Sequence, residues 1–85
     1  MTVKSIAANQ TELHFHSTGS IVFFSYETPV ACFVPGKGIY RTEKKWSATT
    51  TRHINKFIER TNPASTVTLV PQNVVDSFVP SDFEI

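Results

Sequence analysis

One cysteine, three glycines and no long apolar run place several classes of protein out of reach of this 85-residue chain. A lone cysteine forms no internal disulfide framework. The setting of Cys32 inside Val30-Ala31-Cys32-Phe33-Val34 predicts a small buried hydrophobe in a reducing compartment, not a reactive thiol. Two of the glycines, Gly36 and Gly38, flank Lys37, a stretch too short to cradle phosphate and better suited to a hairpin turn. Met1 to Ile6 lack the apolar core of a signal peptide, and no later segment approaches the ~18 apolar residues of a membrane span. These absences predict a soluble, cytoplasmic protein with no membrane partner. Charge of one sign is scarce too: the formal net charge is +1, so global electrostatics single out no partner.

Bulky apolar residues are plentiful. At 40% hydrophobic and 12% aromatic, the chain has material for one core, and its length fits a single small domain over 1–85 with residues 1–10 and 80–85 as flexible ends. The hydrophobic period changes from two to 3.6 near Trp46, dividing a β-rich front from a helix-containing back. From Thr11 to Thr18, Leu13 and Phe15 alternate with Glu12, His14 and His16, the pattern of a half-buried edge strand. Ile21 to Tyr26 is apolar on both faces, as a central strand requires. Pro29 has no amide hydrogen for a ladder, so Glu27-Thr28-Pro29 predicts a turn or a bulge before Val30 to Val34 resumes. Pro35-Gly36-Lys37-Gly38 then returns Ile39 to Thr42 as a fourth antiparallel strand.

The hydroxyls of Ser47-Ala48-Thr49-Thr50-Thr51 suit a helix start, with Thr50 the preferred cap and Ser47 or Thr49 the alternatives. In the helix Thr51 to Arg60, Ile54, Phe57 and Ile58 form the inward stripe, while Arg52, Asn55, Lys56 and Glu59 face water. Asn62-Pro63 ends it. Thr66 to Val70 alternates as a short fifth strand, and Pro71 opens a short second helix carrying Val74, Val75 and Phe78 inward. The expected fold is α+β: an antiparallel meander of four or five strands with one main helix on a face and a short carboxyl-terminal helix.

The residues placed so far carry a family pattern: Gly19, Ser25-Tyr26-x-Thr28-Pro29-Val30-Ala31, Tyr40-Arg41-Thr42, and Ser47-x-Thr49-Thr50-x-x-His53-Ile54-Asn55-Lys56. In order and spacing it resembles a family of small uncharacterised proteins of bacteriophages and related mobile elements, over roughly positions 12 to 60. The resemblance brings no established activity, cofactor or functional residue with it. It implies a phage accessory protein acting in the cytoplasm of an infected bacterial host.

Chemistry-bearing residues are better explained by structure than by catalysis. His14 and His16 with Glu12 on one strand face could begin a metal site completed by His53 or Cys32, yet solvent-facing strand histidines account for them more simply. A Cys32–His53 nucleophile pair conflicts with burial of the thiol, and Ser25 and Ser47 lack the glycine elbow of a serine nucleophile. His53 is expected to pack beside Trp46. No catalytic residue, metal or cofactor is therefore assigned. What remains is local charge: positions 37 to 60 hold seven cations against Glu43 and Glu59, while Asp76, Asp82 and Glu84 make the tail acidic. Arg41, Lys44, Lys45, Trp46, Arg52 and Lys56, with Tyr40 and Tyr26 as aromatic neighbours, form the candidate binding patch. Exposed Trp, Tyr and Arg anchor protein interfaces, so a host protein is the expected partner. The alternative is salt-sensitive binding of single-stranded DNA or RNA, cations meeting phosphates and rings stacking on bases. The edge strand adds a route to a homodimer by sheet continuation.

Overall fold

The computed structural model, described over residues 1–83, contains six strands and two helices: β1 (Thr2–Ala7), β2 (Gln10–His14), β3 (Ile21–Ser25), β4 (Thr28–Val34), β5 (Gly38–Thr42), α1 (Ala48–Thr61), β6 (Val67–Val70) and α2 (Gln72–Asp76). The strands lie side by side in chain order in one sheet. The first five pair antiparallel, and β6 pairs parallel with β5. The α+β class is as expected, but the sheet is mixed and has one strand more than the meander allowed. Parallel neighbours need a crossover, and α1 supplies it between β5 and β6.

The additional strand comes from the amino-terminal ten residues. Thr2–Ala7 folds back on β2 through Asn9, whose φ of 62° is a conformation asparagine tolerates, and the register slips between Ser5 and Ala7. The strand expected at the sheet edge is thus interior, flanked by β1 and β3, so the dimer route assigned to Thr11–Thr18 is closed. The actual edges are β1 and β6.

Pro29 sits inside β4 without cost. It pairs with Phe24 on one side, while the β4–β5 ladder begins only at Ala31, so its missing amide deprives no partner on the other. A bulge follows: Phe23 pairs with Ala31 and Phe24 with Pro29, leaving Val30 as the extra residue. Val30 and Ala31, although consecutive, both join the core on the α1 side. The turn itself is Tyr26-Glu27, with Tyr26 at φ 59°. Such a conformation costs a non-glycine residue about 1–2 kcal/mol, and the bond from Tyr26 N–H to the Asn9 carbonyl (2.7 Å) offsets part of it.

Two cores cover the sheet. On one face Phe23, Val30, Ala31 and Ile39 meet Ile54 and Phe57 of α1, with the Phe23 and Phe57 rings stacked at 4.9 Å. As the helical stripe predicts, Ile58 packs at the rim of this cluster, and Arg52, Asn55, Lys56 and Glu59 are exposed. On the other face Leu13, Val22, Phe24 and Cys32 lie under Phe78, Val79 and Phe83, contributed by the chain after α2 begins. Phe83 reaches Phe24 at 5.6 Å; Glu84 and Ile85, part of the acidic tail, fall outside the described residues. Cys32 is fully buried, and burial pushes its thiol up to about 11. Gly38 is needed at the start of β5: its φ is 110°, and a Cβ there would stand 2.6 Å from the Thr66 carbonyl oxygen. That close approach seats β6.

Candidate binding site at the amino end of the main helix

Helix α1 begins earlier than its apolar stripe suggested, and this changes which hydroxyl caps it. Ser47 is extended (φ −77°, ψ 164°) and its Oγ accepts the Thr50 N–H at 3.2 Å. Thr50, the preferred cap by sequence, lies in the first turn, and its side chain points to the sheet. There its Oγ1 meets the Ser25 hydroxyl at 3.0 Å, and the same hydroxyl meets His53 Nδ1 at 2.8 Å. Ser25, Thr50 and His53 are all buried.

Ser47 donates to Thr50 at 3.3 Å. Either hydroxyl can donate in the Thr50–Ser25 contact, and the Ser25–His53 direction follows the tautomer; one consistent order passes the Thr50 hydrogen to Ser25 and the Ser25 hydrogen to Nδ1, with the His53 hydrogen on Nε2. Burial first, and next the positive charges of Lys56 and Arg52, hold the imidazole below its ordinary value of 6.5, which favours the neutral ring. The Tyr26 ring lies 5.9 Å from the imidazole. His53 therefore packs against Tyr26 and Ser25, not beside Trp46 as its sequence position suggested.

Trp46 has other partners. Lys44 Nζ stands 4.2 Å from the centre of its ring, and its indole N–H donates to Gln72 Oε1 at 3.3 Å. Gln72 in turn donates to the Pro29 carbonyl (2.6 Å) and to Asp76 Oδ1 (2.9 Å). The loop ahead of α1 is thereby tied to β4 and α2, while 40% of Trp46 remains exposed. Lys45 in the same loop is exposed. On α1, Arg52 and Lys56 are exposed one turn apart, with Arg52 Nη2 donating to Thr49 Oγ1.

Two residues of the expected patch stand apart from this arrangement. Tyr40 stacks on Phe78 at 6.4 Å, on the opposite face of the sheet. Arg41 is half-buried in β5, with Nε enclosed and without a hydrogen-bond partner among the described residues. Lys44, Lys45, Trp46, Arg52 and Lys56 keep the exposure that a binding surface needs, with Tyr26 as a half-exposed neighbour of His53.

His14, at the end of β2, and His16, in the turn after it, are used differently from the way their spacing suggested. Glu12 is buried and accepts Arg60 Nε at 2.9 Å and Nη2 on Oε2, while its Oε1 meets His14 Nε2 at 2.8 Å. His16 turns to the Thr2 hydroxyl. Among the described residues, no group of three or more His, Cys, Asp or Glu is placed to hold a metal ion. No helix among them is long and apolar enough to cross a membrane.

Sequence reasoning had Ser25, Thr50 and His53 in separate roles and missed that they meet. A signal was available: positions 50, 53, 54 and 57 are one helical stripe, and its first two members are polar. Polar residues at core-facing positions need a buried partner, and Ser25 closes the strand beneath.

Fold and site together define a small α+β protein whose main helix is fixed to a mixed sheet by a buried hydroxyl–imidazole chain, with a basic, tryptophan-bearing loop in front. A family model matches residues 1–76, and the chain belongs to that family, described as a family of unknown function, DUF8033. No curated protein and no solved structure matches the chain.

Proposed function

We propose that this protein is a non-enzymatic binding module, a phage-type accessory protein of the infected bacterial cytoplasm. It engages an acidic surface of a host protein through Lys44, Lys45, Trp46, Arg52 and Lys56. The observation that carries this reading is the state of Trp46: exposed, yet held by Lys44 on its ring and Gln72 on its indole nitrogen. An aromatic anchor fixed before binding loses little side-chain entropy on docking, and anchors of this kind carry most of the energy of protein interfaces. The non-enzymatic reading is supported by the Ser25–His53 pair, whose serine is 2% exposed and bonded on both sides within the fold.

A second reading, salt-sensitive binding of single-stranded nucleic acid, is favoured by the exposed Arg52 and Lys56 beside His53 and Tyr26. Against it, Lys44 already occupies a face of the Trp46 ring on which a base would stack. A tagged pull-down from infected-host lysate, run with and without nuclease, separates the two. The host-protein reading expects a stoichiometric protein that survives nuclease and is lost with Lys44→Glu/Lys45→Glu. Recovery of nucleic acid, with proteins lost on nuclease treatment, replaces it with the second reading.

A further inference from the structure

The two edges of the sheet are built differently. β1 carries Lys4 in its middle and a register slip between Ser5 and Ala7, two devices that discourage a further strand from adding to an edge. β6 has neither. Its sequence Val67-Thr68-Leu69-Val70 is uncharged and β-branched apart from Leu69, and it is bounded by Pro63 and Pro71. Leu69 is 63% exposed and Val67 40% exposed, because α1 packs over β3 and β4 and leaves β6 uncovered.

The direction of its main-chain groups follows from the parallel ladder. The Ile39 N–H bonds to the Thr66 carbonyl and the Glu43 N–H to the Val70 carbonyl, so Thr66, Thr68 and Val70 face β5. Val67 and Leu69 therefore turn their N–H and C=O groups to the open edge. Among the described residues, the two in β6 whose backbone groups have no ladder partner are the same two that expose aliphatic side chains.

We propose that β6 pairs antiparallel with β6 of a second copy of this chain, about a two-fold axis through Thr68, joining the two sheets edge to edge. In that register Val67 of each copy exchanges both main-chain hydrogen bonds with Leu69 of the other, and every outward group of the short strand is satisfied. The side chains match as well. Val67 stands beside Leu69 of the second copy on the α1 side of the sheet, where its neighbours in β5 are Ile39 and Arg41. Thr68 meets Thr68 on the other side, a favourable cross-strand pair. A second copy fits better than a foreign strand because the edge is self-complementary at both levels, backbone and side chain, over the length of β6. The inference is independent of the host-protein reading, which concerns a different surface.

Sedimentation equilibrium of the purified full chain tests it. The expected result is a weight-average mass that rises with concentration from 9.5 kDa toward twice that value, since so short an edge gives a weak, reversible dimer. Leu69→Pro deletes an N–H that β5 does not use, on an edge strand, where proline is tolerated, so the variant is expected to keep its fold and remain monomeric. Leu69→Lys, which leaves the backbone intact, is expected to weaken association at least tenfold. Hydrogen exchange gives a readout at the residues themselves: the Val67 and Leu69 amides slow as wild-type concentration rises. A wild type that stays at 9.5 kDa throughout overturns the proposal and leaves the edge to a foreign strand. So does a dimer that persists in both variants, or protection that appears on β1 instead.

Discussion

The two ends of α1 are fixed to the same sheet by different chemistry. At the amino end the contacts are neutral, running from Ser47 through Thr50 and Ser25 to His53. At the carboxyl end they are ionic: Arg60 grips Glu12, whose other oxygen takes His14, and the guanidinium lies 5.8 and 5.9 Å from the centres of the Phe23 and Phe57 rings. The electrical outcome differs accordingly. Arg60 answers the negative pole of the helix and is itself answered by Glu12. The first turn holds no acidic residue, so the positive pole adds to Arg52 and Lys56 instead of being cancelled. One end is satisfied within the fold and has little to offer a partner. The other is held without using charge, and its cations Arg52 and Lys56 have no ion-pair partner among the described residues.

The largest expected effect comes from breaking the ionic end. Arg60→Ala leaves the Glu12 carboxylate, on a residue 5% exposed, without its guanidinium, and a cost of about 3 kcal/mol is expected by urea unfolding. Replacing both partners by apolar residues, Glu12→Leu with Arg60→Met, is expected to recover most of that loss, because the penalty lies in the orphaned charge. A change within about 0.5 kcal/mol for Arg60→Ala would show that the ends do not differ as described.

The neutral end is expected to cost less. Ser25→Ala removes the hydroxyl between Thr50 and His53, leaving His53 Nδ1 unpaired and Thr50 Oγ1 with Ser47 alone, for a loss of about 1–2 kcal/mol. The ring nitrogen shifts of His53 sharpen the test. Wild type is expected to show hydrogen on Nε2, and the variant a mixture of tautomers, since nothing then instructs Nδ1. A single unchanged tautomer in the variant would mean that the hydroxyl chain does not set the state of the imidazole.

What could be read from the sequence follows the same division. The strands β2 to β5, the inward stripe of α1, the short helix after Pro71 and the burial of Cys32 were legible because each rests on local periodicity or on one residue's chemistry. Long-range pairings were not. Glu12 reaches Arg60 across 48 residues and Ser25 reaches His53 across 28, and no local pattern connects them. The parallel seat of β6 left a trace that was available: a strand, a helix and a strand in succession are a crossover unit, whereas a meander would join β5 and β6 by a tight turn. β1 was hidden by Lys4 and Ser5, which dilute the apolar alternation in just the way that protects a sheet edge. Of the binding patch, the loop and helix cations were placed correctly in the open. Arg41 and Tyr40 were misjudged because neighbours in a strand point to opposite faces, and one of those faces is covered by α2 and the chain beyond it.

The smallest expected effect is a change of slope with pH, and it probes the neutral end alone. Burial holds His53 below its ordinary 6.5 in the folded chain, and Lys56 and Arg52 push the same way. The unfolded chain therefore takes up the proton more readily than the folded one. Above about pH 6.5 neither state binds it and His53 adds no pH dependence; as the pH falls through 6.5 toward the lower folded value, stability is lost, and below that value the loss levels off. His53→Asn keeps an acceptor where Nδ1 stands, so the Ser25 bond can survive while the titration disappears. Urea midpoints measured from pH 8 to pH 5 are expected to fall more steeply for wild type than for the variant, with the two profiles parallel above about 6.5. Any further fall shared by both proteins belongs to other groups. Identical slopes would place the proton of His53 under no control by the fold. The neutral chain would then be a packing contact, and the electrical openness of the amino end would rest on Arg52, Lys56 and the uncancelled helix pole alone.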